Sequence, residues 1–178
     1  MENILRKLKL ISDFKTELEI EKSEFVERLK LHVDPSEFGL FSNINDIFSS
    51  SKNDFKGYVG RDYFEIKRKR SFFDGNKNLA TAKGTYLQNG NKLVINVKVK
   101  GFNKSFIPFL IFIPIIYIIA IITFIVASAN DTEIPFFILP FILFHGALML
   151  GIPYFLMKRS LKNMEKELER EFFYLTKK

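Results

Sequence analysis

The sequence predicts an α+β protein: a small antiparallel sheet with one or two short helices, followed by a transmembrane helical hairpin and an amphipathic C-terminal helix. Three observations predict this arrangement. Charged residues make up 26% of the chain, yet residues 106–129 and 134–157 carry none. Strand-like alternation fills much of the N-terminal part, and helical periodicity marks the C-terminal end. The sequence thus divides into an α+β domain (residues 1–104), a transmembrane hairpin (residues 105–157) and a basic amphipathic tail helix (residues 158–178).

Both uncharged stretches are long enough to cross a bilayer. At about 1.5 Å per helical residue each would extend roughly 36 Å, more than the hydrocarbon thickness of about 30 Å. A soluble helical hairpin would need polar faces, and neither stretch has one. Only residues 130–133 separate the two stretches. They are therefore predicted to be antiparallel neighbours joined by a tight turn.

The basic residues around this hairpin predict its orientation. Lys and Arg residues lie on both outer flanks, before the first stretch and after the second, and the turn contains none. By the positive-inside rule both termini are predicted to lie in the cytoplasm. The protein would then be a multi-pass protein of the cytoplasmic (inner) membrane.

Two polar side chains are predicted to meet inside the hairpin. Tyr117 and His145 lie at nearly equal distances along the chain from the centre of the turn, which places them at the same depth. The simpler hypothesis is an interhelical hydrogen bond worth roughly 0.6–2 kcal/mol. The alternative is part of a proton or ion pathway, which usually needs more polar groups in one place.

The region before the hairpin begins with a strand and a helix. Residues 14–21 alternate apolar and charged side chains, which predicts a half-buried strand. Ser23 is the predicted N-cap of a short helix whose apolar residues recur at helical spacing. Residues 34–54 are rich in Ser, Asn and Asp, and predict either a second short helix or an ordered loop.

From residue 55 onwards the pattern indicates hairpins. A turn is predicted at residues 60–62 and a break in the chain at residues 74–76. Asn89-Gly90 is the strongest hairpin signal, and residues 93–99 after it alternate apolar side chains on one face with polar ones on the other. The result is an antiparallel sheet that ends about where the membrane begins.

The basic residues of this region predict contact with anionic groups. The net charge of the whole chain is +7, and each charge close to a membrane adds about 1 kcal/mol of attraction to anionic lipid. Lipid headgroups are the expected partner, a protein partner is the alternative, and nucleic acid is disfavoured beside a membrane anchor. The structural alternative is a solvated strand end. The candidate contacts are Lys67, Arg68, Lys69, Arg70, Lys98, Lys100 and Lys104.

The C-terminal segment carries an apolar stripe at helical spacing. This pattern predicts an amphipathic helix that continues from the second apolar stretch. The stripe is expected to cover the sheet, and a partner's groove or the lipid interface are the alternatives. Its members are Leu161, Met164, Leu168, Phe172 and Leu175.

Catalytic and cofactor motifs are missing from the sequence. The absence of Cys excludes disulfides, thiolate metal sites and thiol nucleophiles. There is no HExxH motif, no Gly-rich phosphate loop and no nucleophile elbow. His32 is the one His outside the apolar stretches, and a lone His at a helix end is far more often a surface residue than a ligand. We therefore expect a non-enzymatic protein without a cofactor.

Several motifs together resemble a group of uncharacterised bacterial two-span membrane proteins with an N-terminal cytoplasmic α+β domain. They are residues 55–59, residues 63–68 and the Asn89-Gly90 hairpin, which runs into two apolar stretches and a basic tail. The likeness covers most of the chain from Lys15, and it implies a topology without implying an activity.

Two functions stay open. The first is a membrane-anchored module that binds a protein partner or anionic lipid through its basic domain. The second is a small oligomeric transporter, channel or immunity-type membrane protein. The second requires a homo-oligomer, because two helices alone enclose no pore.

Overall fold

A computed structural model describes residues 2–36, 53–69, 79–102, 106–130, 135 and 137–177 of the 178-residue chain. The chain forms two compact units: unit 1 is Met1–Asn103 with Met157–Lys178, and unit 2 is Lys104–Leu156. Most of the predicted second helix or loop, the predicted break at residues 74–76, Arg70 and Lys104 lie outside the described residues.

Unit 1 is built on a mixed β-sheet. Its strands follow the order β1-β6-β5-β4-β3-β2, and all described neighbours are antiparallel except β2 and β3. The predicted α+β class is correct, but the sheet is larger than predicted because the three-residue β2 adds a parallel strand. In chain order the elements are α1 (Glu2–Lys7), β1 (Ile11–Leu18), α2 (Lys22–His32), β2 (Val33–Pro35), β3 (Phe55–Val59), β4 (Tyr63–Arg68), β5 (Thr81–Asn89) and β6 (Lys92–Lys100).

The β5–β6 hairpin follows the predicted alternation. Asn89 pairs with Lys92, so Gly90 and Asn91 form the turn. Gly90 has a φ of +57°, a conformation that glycine adopts at no steric cost. The residues that the sequence placed on the apolar face of β6 are all buried: Leu93, Ile95, Val97 and Val99.

The start of α2 differs from the prediction. Glu21 is the N-cap residue and no side chain forms a capping hydrogen bond, so the predicted capping role of Ser23 is wrong. The physical reason is a contact from another strand: the amide of Lys22 donates to Oε1 of Gln88 at 2.9 Å. A first-turn amide of the helix is thus satisfied by β5 instead of by a local cap.

Two long helices, α3 (Ile107–Ala129) and α4 (Ile138–Thr176), complete the fold. The C-terminal part of α4 belongs to unit 1. There the ring centroid of Phe172 lies 5.5 Å from that of Phe25 and 5.9 Å from that of Phe64. The stripe therefore covers the protein's own sheet, which was the preferred prediction. All five of its members are buried in the same core: Leu161, Met164, Leu168, Phe172 and Leu175.

Polar and backbone contacts hold α4 against the end of the sheet where β5 begins and β6 ends. Ser160 is 2% exposed, and its Oγ accepts hydrogen bonds from the amides of Leu79 at 2.7 Å and Ala80 at 2.8 Å. A Cβ atom at Gly101 would lie 2.5 Å from the carbonyl oxygen of Met157. The chain therefore leaves unit 1 after β6 and returns to unit 1 in α4 at adjacent points.

By length and composition, α3 and α4 are each able to cross a membrane. The most apolar stretch of α3 is not buried inside the protein at all, and only 6% of the most apolar stretch of α4 is buried. A core helix of a soluble protein would be mostly covered by other parts of the chain. The second helix begins at Ile138, later than the predicted residue 134, and Pro135 precedes it outside the helix. Its uncharged part, residues 138–157, still extends about 30 Å.

Candidate functional site

The candidate site is the face of the sheet opposite α2 and α4, which we call the outer face. Because successive side chains of a strand point to opposite faces, the strand register decides which residues lie there. One outer-face row crosses five strands and holds Asp13, Lys98, Lys83, Glu65 and Tyr58. The predicted contact Lys98 thus lies directly beside a second lysine.

The next row lies towards the end of β6 that leads to α3. It contains Ile11, Lys100, Thr81, Lys67 and Lys56. Lys56 and Lys67 are only 2% and 5% exposed, and both interact with other residues of the chain. Buried lysines of this kind are stabilised by partners within the protein. Lys100 is half-buried and is the accessible lysine of the row.

The predicted basic run is divided by the strand. Lys67 points to the outer face, whereas Arg68 forms an ion pair with Glu167 of α4, which covers the opposite face. Lys69, just after β4, forms an ion pair with Asp34. The structure therefore does not gather the described part of this run into one patch, and two of its cations contact carboxylates of the same chain.

Lys83 is an accessible cation that the sequence analysis did not single out. Its side chain is 60% exposed and its Nζ lies 3.9 Å from Oε2 of Glu65 and 5.2 Å from the centre of the Tyr63 ring. Tyr63 in turn packs against Tyr58 at 5.2 Å. The only sequence signal for Lys83 is its place in the alternation of β5. That signal identifies Lys83 as part of the basic face only once its pairing with Lys98 is known.

The short helix α1 contacts the outer face through ion pairs. The Lys98 ammonium donates to Oε1 of Glu2 at 3.1 Å, and Arg6 pairs with Asp13. The hydrogen bond from Lys98, together with one from Arg6, lowers the pKa of the Glu2 carboxyl. Residues of α1 are therefore part of the electrostatic surface of this face.

The surface formed by the outer face, α1 and the turn after α1 carries a net positive charge. Among the described residues, this surface has eight accessible Lys or Arg side chains and four accessible Asp or Glu side chains. The cations are Arg6, Lys7, Lys9, Lys15, Lys83, Lys92, Lys98 and Lys100, and the anions are Glu2, Asp13, Glu17 and Glu65. Such a surface attracts phosphate and carboxylate groups by charge and offers ammonium groups as hydrogen-bond donors.

Unit 2 holds the second predicted site. The hydroxyl of Tyr117 and Nδ1 of His145 lie within hydrogen-bonding distance, with ring centroids 5.9 Å apart. Phe141 stacks on His145 at 5.8 Å, and a Cβ atom at Gly146 would lie 3.1 Å from the Tyr117 ring. The absence of a side chain at Gly146 thus lets the Tyr117 ring approach α4. The two polar groups satisfy each other.

Among the residues that the structure describes, no cluster of three or more His, Asp or Glu residues could hold a metal ion. Comparison with family models, with curated proteins and with solved structures gave no match. The function must therefore be argued from the geometry of the chain itself.

Proposed function

We propose that this protein is a non-enzymatic integral membrane protein that binds anionic lipid headgroups through the outer face of its sheet. The observation that carries the proposal is the grouping of Lys83, Lys98 and Lys100 on one face. The last of these ends the strand that leads, through residues 101–106, into α3. For a basic surface on a strand that continues along the chain into a membrane helix, the bilayer is the nearest source of anions.

In this proposal α3 and α4 cross the inner membrane as a hairpin, with both termini in the cytoplasm. Two observations support it. Basic residues flank the helices on the unit 1 side, as the positive-inside rule requires. In unit 1, Gly101 and Met157 are in close contact, so the chain departs and returns at one place, as a hairpin demands.

Charge arithmetic favours lipid over a single acidic protein partner. Three lysines near a surface would together contribute at most about 3 kcal/mol, roughly a hundredfold in affinity for anionic lipid. The contacts of Lys83 with Glu65 and of Lys98 with Glu2 reduce this gain. It also falls as salt rises, because exposed charges are screened beyond about 8 Å in physiological salt. Flexible ammonium groups suit phosphates that have no fixed position, whereas a defined protein partner would favour rigid bidentate contacts.

Lysine footprinting of the full chain tests the proposal. The protein is placed in nanodiscs of either neutral or anionic lipid, treated briefly with an acylating reagent, and analysed by mass spectrometry. We expect Lys83, Lys98 and Lys100 to react at least about threefold more slowly in anionic nanodiscs. Lys30, exposed on α2 away from the outer face, is the internal control. Equal reaction rates at the three lysines in both lipids would contradict the proposal.

The alternative function, an oligomeric transporter or channel, would place Tyr117 and His145 on a pathway. Their mutual contact gives them a structural role without any pathway, which favours the first proposal. The alternative still requires several copies around a pore. Native mass spectrometry in detergent tests this alternative, because a strict monomer cannot enclose a pore with its two helices.

A further inference from the structure

In the part of the chain that the structure describes, β1 lies at the edge of the sheet, and the backbone groups on its outer side pair with no other strand. Its one neighbour among the described strands is β6. The amide of Gly101 donates to the carbonyl of Leu10 at 2.9 Å, which fixes the alternation of the ladder: even-numbered residues bond to β6 and odd-numbered ones face outwards. The N–H and C=O groups that face the free edge are those of Ile11, Asp13, Lys15 and Glu17.

The charges on this edge are self-complementary in one of the two registers that pair most of the strand. If a second β1 pairs antiparallel with the first around Phe14, Asp13 of each copy lies opposite Lys15 of the other. Centring the pair on Lys15 instead would oppose lysine to lysine and Asp13 to Glu17. Opposite charges across a strand pair are favourable and like charges are unfavourable, so the charge pattern selects the first of these two registers. A pair centred on Thr16 would also oppose Lys15 to Glu17, but it joins only residues 14–18 of each β1 and places Asp13 opposite Glu19. In the single chain Asp13 contacts Arg6 and Lys15 contacts Glu17, so the pairs between copies replace or extend these contacts.

An apolar side chain supports the same register. Phe14 packs at the margin of the core and is only partly buried. In the Phe14-centred register it would face its own counterpart in a non-hydrogen-bonded pair, where the Cα atoms approach to about 4.5 Å. Aromatic pairs across such a position are among the stabilising contacts of sheets. The second copy would thus cover the margin of the core.

We propose that two copies of this chain associate through their β1 edges, antiparallel and centred on Phe14, to form one continuous sheet. The two-fold axis of such a pair is perpendicular to the sheet, so both outer faces lie on the same side. Two copies then present their lysines to one surface, and the second contact becomes intramolecular once the first is made. The dimer itself does not depend on lipid binding.

Engineered disulfides test the register directly, because the natural chain has no Cys. Ser12 of one copy would lie opposite Thr16 of the other at a separation that a disulfide can bridge. We expect the double variant Ser12→Cys/Thr16→Cys, full length in neutral detergent, to form a covalent dimer on mild oxidation. The single variant Ser12→Cys is the matched control and should form no covalent dimer, because its Cys would lie opposite Thr16. Equal, low cross-linking in both variants would overturn the proposal.

A charge reversal tests the same interface in the chain without Cys. Lys15→Asp would oppose Asp13 in both symmetric contacts, and we expect dimerisation measured by native mass spectrometry to weaken about tenfold. Adding Asp13→Lys to the same chain restores opposite charges and should restore the dimer. An unchanged dimer in the single variant, or no recovery in the double one, would refute the register. Neutral detergent keeps this result separate from the lipid footprint.

Discussion

Ser160 holds α4 in place through a single atom, its Oγ. Its Oγ is the acceptor for the buried amides of Leu79 and Ala80, at 2.7 and 2.8 Å. Replacing Ser160 with Ala leaves two buried N–H groups without a partner, and each such group costs about 1–3 kcal/mol. Allowing for partial relaxation, we expect Ser160→Ala to lower the free energy of unfolding by about 2–4 kcal/mol.

The assay is thermal unfolding of the full chain in detergent, followed by circular dichroism. For a chain of this size about 1 kcal/mol corresponds to 2–4 °C, so the midpoint should fall by roughly 5–15 °C. Ser23→Ala is the matched control, since Ser23 makes no capping bond, and it should shift the midpoint little. Hydrogen exchange should also speed up at Leu79 and Ala80. A Ser160→Ala midpoint equal to that of the control would refute the reasoning.

Three further predictions concern the core and α1. The buried Tyr86 hydroxyl has no hydrogen-bond partner among the described residues, and burial raises its pKa. Tyr86→Phe should therefore leave the unfolding midpoint unchanged or raise it, and a clear fall would contradict this. Gly84→Ala would drive a Cβ into the ring of Phe64 and should cost about 1–3 kcal/mol in a urea titration. Because Lys98 lowers the pKa of Glu2, their contact is fully present above pH 4.5, the usual pKa of a Glu carboxyl, and is lost as the pH falls through the lowered value. The protection of the α1 amides against hydrogen exchange, corrected for the intrinsic pH dependence of exchange, should therefore fall in acid, and Glu2→Gln should remove that fall.

The elements with one continuous buried face could be predicted from the sequence. In β6 the alternation shows directly which side chains enter the core, and the turn signal fixes where the strand begins. The stripe of α4 was equally visible, although the same stripe would suit a partner's groove or a lipid interface. Only the packing of Phe172 against Phe25 and Phe64 identifies the sheet as its partner.

Features that depend on contacts between distant residues could not be predicted. Ser160 lies 81 positions from Leu79, and a serine in an amphipathic helix gives no sign of its acceptor role. The helix α1 buries none of its side chains, so it leaves no apolar periodicity. The three-residue strand β2 is too short for a pattern, and its pairing with β3 is a tertiary contact.

The candidate site shows the same division. Adjacent basic residues in the sequence suggest one patch. In β4, however, the side chains of Lys67 and Arg68 point to opposite faces of the sheet. Lys83 and Lys98 are far apart in sequence and become neighbours through the register of β5 and β6. A basic surface on a sheet is therefore visible only after the strands are paired.

The crossing of the membrane by α3 and α4 is tested most directly by single-cysteine accessibility, since the natural chain has no Cys. Asn130→Cys marks the end of α3, and Ser23→Cys marks unit 1. In intact cells an impermeant maleimide should label Asn130→Cys alone, and Ser23→Cys should react only after the membrane is permeabilised. Labelling of both variants in intact cells, or of neither before permeabilisation, would contradict a hairpin that spans the membrane with unit 1 inside.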